Sequence, residues 1–146
     1  MKFLVKFLLF FSIFTVMSYF LENILIALFL FLISPFARFM GASILSNQIS
    51  IGGNFLLLAK ECTGSMIYNT YLAFAFSYKF SKERIKYLLI GLVLLMFLNF
   101  IRIISLIGVA ALSFPGFRLV HNFLWPASFF IFTLLGVTYY KNEADK

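Results

Sequence analysis

Charged side chains are scarce in this chain. They make up 12% of its 146 residues, against about 25% in an ordinary soluble domain. That shortage excludes a typical water-soluble fold. Disorder is excluded too, because a disordered chain needs low hydrophobicity, and 63% of these residues are hydrophobic. Cysteine occurs once, at Cys62, so neither an intramolecular disulfide nor a cysteine-based metal cluster can form. Histidine also occurs once, at His121. Together with Cys62 and one carboxylate it would make a thin zinc site, and no metal or organic cofactor is expected. Five acidic residues stand against twelve basic ones, for a formal net charge of +7. In a soluble protein that excess suggests a nucleic-acid partner. Here the basic residues lie beside apolar runs, where the positive-inside rule accounts for them, so no nucleic-acid partner is expected.

What the chain has in quantity is uninterrupted apolar sequence, 22 phenylalanines among it. A bilayer core needs about 20 such residues per helical crossing. Four runs qualify, at about 7–33, 63–80, 87–112 and 119–140. The expected fold is therefore an all-α polytopic membrane protein, one domain over 1–146 built as a bundle of about four transmembrane helices. Lys2 and Lys6 open the first run, which is too long and lacks the small-residue cleavage site of a signal peptide. Ser34 and Pro35 are expected to end it, since the residue before a proline is pushed out of the helical region. Residues 34–61 form the longest loop. Within it Asn47 to Ile51 reads as a short strand or irregular turn, and Gly52-Gly53 as a turn. A basic loop, 81–86, separates the second and third runs. Ser113 to Gly116 reads as another turn, and Pro126 either kinks the last run or marks its start. Trp125, Tyr139 and Tyr140 read as interfacial belt residues.

Orientation follows from the charges. Lys2 and Lys6, the loop with Lys82, Arg84 and Lys86, and the tail with Lys141 and Lys146 fall on one side if there are four crossings. Both termini are then cytoplasmic. The loop 34–61 and the turn around Pro115 face outside. This topology brings three reactive side chains to a similar depth. Cys62 precedes the second helix on its outer side, and His121 opens the fourth. Arg102 stands ~22 Å up the third from Tyr87 by helical rise.

The chemistry of the three is complementary. A thiolate is a strong nucleophile, and a neighbouring cation favours it over the thiol. Imidazole can return a proton to a leaving amine. Arginine keeps its proton and can donate hydrogen bonds to an oxygen on which charge develops. Asn99 shares a helical face with Arg102 at a spacing of three, placed to orient it or to contact a substrate. Glu61 and Asn122 are candidates to orient His121. Each residue also has a plainer reading: Cys62 as a small buried hydrophobe, His121 as an interfacial anchor, Arg102 as a structural partner of Glu22 or Glu61. Glu22 itself, inside an apolar run, must face protein, water or a partner.

Three segments, Glu61-Cys62-Thr63-Gly64-Ser65, Leu98-Asn99-Phe100-Ile101-Arg102-Ile103 and His121, resemble the exosortase/archaeosortase family in kind and order. The likeness covers about Glu61 to Trp125. Family members are polytopic membrane proteins proposed to act as cysteine transpeptidases, and many are longer than this chain. The resemblance implies a protease and transpeptidase of the cell membrane with its active site facing outside. It implies substrate proteins bearing a C-terminal signature, a transmembrane helix and a basic tail, with a membrane lipid as one acceptor. By the same resemblance Cys62 is the nucleophile, Arg102 the transition-state stabiliser and His121 the general acid/base, with Asn99 matching the motif. The competing expectation is a non-enzymatic small membrane protein, a transport component or assembly factor, with a structural intramembrane arginine.

Overall fold

The computed structural model describes residues 2–57, 60–78, 81–112 and 114–145; the side chains of Lys2, Lys60, Glu61, Glu83, Phe114 and Ala144 lie outside that description. In chain order the elements are α1 (Lys2–Phe39), β1 (Ser43–Leu45), β2 (Gln48–Ile51), β3 (Asn54–Leu57), a 3-10 turn (Lys60–Thr63), α2 (Ser65–Ser77), a second 3-10 turn (Lys82–Arg84), α3 (Ile85–Leu112), α4 (Phe114–Leu119), a π-helical turn (Val120–Leu124) and α5 (Trp125–Asp145). The protein is mostly helical. Phe3–Phe39, Ile85–Leu112 and Pro115–Glu143 are each long and apolar enough to cross a membrane. α2 has 13 residues and rises ~20 Å, less than the ~30 Å hydrocarbon core. The whole is consistent with a multi-span membrane bundle.

The first helix overturns one expectation. Pro35 does not end α1, which runs on to Phe39 with the proline inside it. The reason is tertiary. Ile33 and Ala37, on either side of the proline, are fully buried in a core with Ile103 and Ile107 of α3 and Ile49 and Ile51 of β2. That packing holds the helical path through a residue that disfavours it. Pro115 likewise sits inside a helix, α4, instead of in a turn; at the second helical position its missing N–H is one that has no intrahelical partner anyway. Ser113, the first residue of that expected turn, lies outside the described residues. Pro126 falls at the second position of α5, directly after the π-helical turn. A wider turn at that point accommodates a residue that cannot donate.

Residues 43–57 form a three-stranded antiparallel sheet in the order β1-β2-β3. Ser43 pairs with Ser50, and Ser50 with Phe55. Ile49 and Ile51 point inward while Gln48 and Ser50 do not, the period-2 alternation of a strand with one buried face. The sheet therefore docks its β2 isoleucines onto α1 and α3.

Two apolar cores result. One joins the second half of α1 to the sheet and to the second half of α3 through Phe29, Ile33, Ile49, Ile103 and Ile107. The other joins α2, the first half of α3 and α5 through Ile67, Tyr71, Leu88, Leu95 and Tyr140. Tyr140 is fully buried and so belongs to this core, not to an interfacial belt. Tyr71 is its centre. Its ring meets Tyr140 edge-on at 6.3 Å, its hydroxyl donates to the Tyr87 carbonyl at 3.2 Å, and it fills the space over Gly91 of α3 and Gly136 of α5. Small residues let helices approach this closely. α1 and α2 are further joined by Asn69 Nδ2, which donates to Ser18 Oγ at 2.9 Å. Many large apolar side chains remain on the outside, Phe20, Phe31 and Phe97 among them, as expected of helices that face lipid.

Candidate functional site between the two cores

The polar groups of the bundle collect at the seam between these cores. The 3-10 turn Lys60–Thr63 delivers Cys62 there, and Gly64, with φ 76°, turns the chain into α2. A positive φ favours glycine. A Cβ at position 64 would also stand 3.1 Å from Cγ and Nδ2 of Asn99. The missing side chain thus makes room for an amide that ties α3 to the turn. Asn99 Nδ2 donates to the carbonyl oxygens of Cys62 at 3.2 Å and of Thr63 at 2.9 Å. Asn99 Oδ1 accepts from Arg102 Nη1 at 3.1 Å. Both N–H groups of this side chain are committed and so is its oxygen, which makes Asn99 a positioning residue with no donor left for a substrate.

Arg102 is only 4% exposed, in the middle of an apolar helix. An ionised side chain at that depth needs compensation. Besides Asn99, it has the Phe129 ring of α5 beneath it, with Cζ 4.0 Å from the ring centroid, a cation–π arrangement. The ionisable groups it feels most strongly are the Cys62 thiol and the Tyr68 hydroxyl. Tyr68, on the first turn of α2, presents its hydroxyl to Asn99 and Arg102, but the geometry forms no hydrogen bond.

His121 reaches the same neighbourhood from another side. It lies in the π-helical turn, stacked on Phe117 with centroids 5.4 Å apart. Its Nδ1 is 3.2 Å from Asn122 Oδ1, a contact that fixes the ring when Nδ1 carries the proton. His121 and Cys62 line one cavity of about 250 Å³, walled by Leu56 of the sheet, Ile103, Leu106 and Ile107 of α3, and Phe117. Cys62 is half-buried at this cavity. Arg102 does not line it; its bonded link to the Cys62 turn runs through Asn99. A second space, an apolar groove of about 880 Å³, runs beside Gly64 and Ser65 along α2 and α5 toward Phe3 and Phe7 of α1. Phe129 lines that groove and also carries the guanidinium.

Of the residues singled out from sequence, Cys62, Asn99 and Arg102 are thus linked directly, and His121 with Asn122 faces Cys62 across the cavity. The Glu61 side chain lies outside the described residues. Glu22 is half-buried on α1. Tyr68 and Phe129 were not visible as site residues: one is a tyrosine in an apolar helix, the other one of 22 phenylalanines, and only the crossing of α3 with α2 and α5 distinguishes them. Among the described residues no three His, Cys, Asp or Glu side chains come together to hold a metal ion. Comparison with known protein families, with curated proteins and with solved structures finds no match to this chain.

Proposed function

We propose that this protein is a membrane-embedded cysteine peptidase or transpeptidase of the exosortase/archaeosortase type. The observation that carries this reading is the placement of Cys62. Its turn is clasped by Asn99, its thiol lies within electrostatic reach of the buried Arg102, and it opens on a cavity that it shares with the chain's single histidine. These groups can perform thiol acyl transfer. Cys62 attacks a substrate carbonyl, its proton passing to His121. Arg102 stabilises the negative oxygen, an interaction that strengthens as charge develops and so lowers the barrier. His121 protonates the departing amine and a thioester is left on Cys62. An amine or hydroxyl acceptor, a lipid headgroup included, releases it. Water in that role gives plain proteolysis.

The site stands at the outer membrane boundary in this reading, with both termini cytoplasmic and with α2, itself shorter than the hydrocarbon core, completing a fourth crossing together with the chain that follows it. Lys6, Lys86 and Lys141 mark the cytoplasmic ends of α1, α3 and α5. About twenty residues, or ~30 Å, further along each helix lie Ile26, Leu106 and His121. The last two line the Cys62 cavity. A substrate with its own transmembrane helix has the apolar groove along α2 and α5 beside it, with the scissile bond just above.

The test is a complementation experiment in the native cells. Cys62→Ala stays in the membrane but leaves surface proteins uncleaved, their C-terminal membrane-spanning peptides still attached by mass spectrometry. Arg102→Lys has the same phenotype, because lysine lacks the planar fork. Unchanged processing in the Cys62→Ala cells refutes the reading. A second reading, a non-enzymatic membrane component, is favoured by the clasp itself: the bonds of Asn99 join α3 to the turn whether or not Cys62 reacts. Under that reading Cys62→Ala is silent and only Asn99 and Arg102 matter.

A further inference from the structure

Among the described residues four buried polar side-chain atoms have no hydrogen-bond partner: Tyr68 Oη, Arg102 Nε, Trp125 Nε1 and Tyr140 Oη. Buried donors are nearly always paired, and an exception needs a reason. Tyr140 stands apart from the seam's polar cluster, against the Tyr71 ring, and Trp125 opens α5 one helical turn after His121. The first two share one site. Arg102 has given Nη1 to Asn99 and its flat face to Phe129, which leaves the Nε–H edge uncommitted. Tyr68 lies one helical turn beyond Gly64, its backbone N–H bonded to the Gly64 carbonyl at 3.3 Å. That bond fixes the tyrosine relative to the turn that carries Cys62. Asn99 cannot supply a donor here, since both of its N–H groups are engaged.

We propose that the Tyr68 hydroxyl and the Arg102 Nε–H form a two-donor cradle for the oxygen of a carbonyl attacked by Cys62, so that Tyr68 is a further catalytic residue. This rests on the thiol acyl-transfer reading above. As the S–C bond forms, the carbonyl π pair moves onto oxygen, and that oxygen accepts from both donors. Neither donor loses its proton. When the intermediate collapses the pair returns, the C–N bond breaks, and the amine leaves with the proton that His121 took from the thiol. Donors already desolvated and unpartnered have no hydrogen bond to give up when the oxygen becomes charged. A pair of orphan donors in the resting protein is what such a cradle looks like before substrate arrives.

The test separates oxyanion stabilisation from general damage to the site. The full-length protein is reconstituted in phosphatidylcholine vesicles and two reagents are offered to Cys62. Octanal adds to a thiol to give a hemithioacetal: the S–C bond forms, the carbonyl oxygen takes the thiol proton, and the oxygen occupies the cradle. Its affinity is read from protection of Cys62 against maleimide. Iodoacetamide alkylates the same sulfur by displacing iodide and creates no oxyanion. Tyr68→Phe keeps the ring and removes only the unpaired hydroxyl, so folding is not at risk. The expected result is octanal binding weakened by about tenfold or more with the iodoacetamide rate at its wild-type value. Equal octanal binding in wild type and Tyr68→Phe overturns the cradle and leaves the acyl-transfer reading standing. Equal slowing with both reagents assigns Tyr68 to packing and overturns it as well. A wild-type Cys62 that reacts with neither reagent refutes thiol chemistry, and both proposals fall together.

Discussion

The joint between Gly64 and Asn99 lends itself to a quantitative test. Gly64→Ala introduces two separable penalties. The first is conformational: a residue with a Cβ held at φ 76° costs ~1–2 kcal/mol. The second is steric. The new Cβ would sit 3.1 Å from the Asn99 amide, tight enough to push it away from the carbonyls of Cys62 and Thr63. Each of those bonds is worth ~1 kcal/mol net, and inter-helix bonds in membrane proteins average nearer ~0.6. The steric part is then ~1–2 kcal/mol, for a total of ~2–4. Asn99→Ala removes the amide and with it the steric part, so Gly64→Ala in that background should cost only the conformational ~1–2 kcal/mol. The coupling between the two sites is the difference, ~1–2 kcal/mol, or ~2–8 °C in melting temperature for a chain of this size. The assay is thermal unfolding in detergent followed with a thiol-reactive fluorophore, for which Cys62 is the sole target. Strict additivity, with Gly64→Ala costing the same in both backgrounds, refutes the clasp.

Other positions give simpler expectations. Gly91→Ala places a methyl against the Tyr71 hydroxyl; overpacking of a buried contact costs ~1–3 kcal/mol, visible as a lower melting temperature, and Tyr71→Phe should partly restore it. Pro35→Ala replaces an exposed proline inside α1. With the helical path already fixed by Ile33 and Ala37, it should raise stability by up to ~3 kcal/mol, and a loss would show that the proline shapes the helix. Ser18→Ala removes the acceptor of Asn69. The expected cost is ~0.6 kcal/mol, rising to ~1.7 at most, and a larger loss measured by the same unfolding assay would mean that Asn69 has no alternative partner.

The helices were legible in the sequence because a membrane span advertises itself: about twenty apolar residues leave few other structures open to the chain. Their ends were less legible. Pro35 and Pro115 carry real local preferences for breaking a helix, yet both lie inside one, because the burial of Ile33 and Ala37 against α3 and the placement of Pro115 in a first turn decide the matter. The sheet was half visible: Asn47 to Ile51 reads as a short strand or irregular turn, where β2 stands, and Gly52-Gly53 as a turn, but β1 and β3, of three and four residues, leave too short a pattern to read. In the site, Cys62, Arg102 and His121 stand out by chemistry, since each is rare in its surroundings. Tyr68 does not, because its role depends on which side of α2 meets Arg102. The value of Gly64 could not be read either, since it comes from the amide that occupies the space of its absent side chain.

The continuity of α1 has a consequence for the lipids around the protein. A helix of 38 residues is ~57 Å long, nearly twice the ~30 Å hydrocarbon thickness, and its second half packs against the sheet that walls the Cys62 cavity. The height of that cavity above the first turns of α1 is therefore set by a stiff rod, whereas the height of the membrane surface is set by acyl-chain length. In a thin bilayer the cavity mouth stands in water; in a thick one it sinks among the chains unless α1 tilts, at a cost of fractions of a kcal/mol per Å of mismatch. Under the proposed acyl-transfer reading the protein is in effect a depth gauge, and acyl-chain length governs whether its lone thiol meets an aqueous or a lipidic reactant.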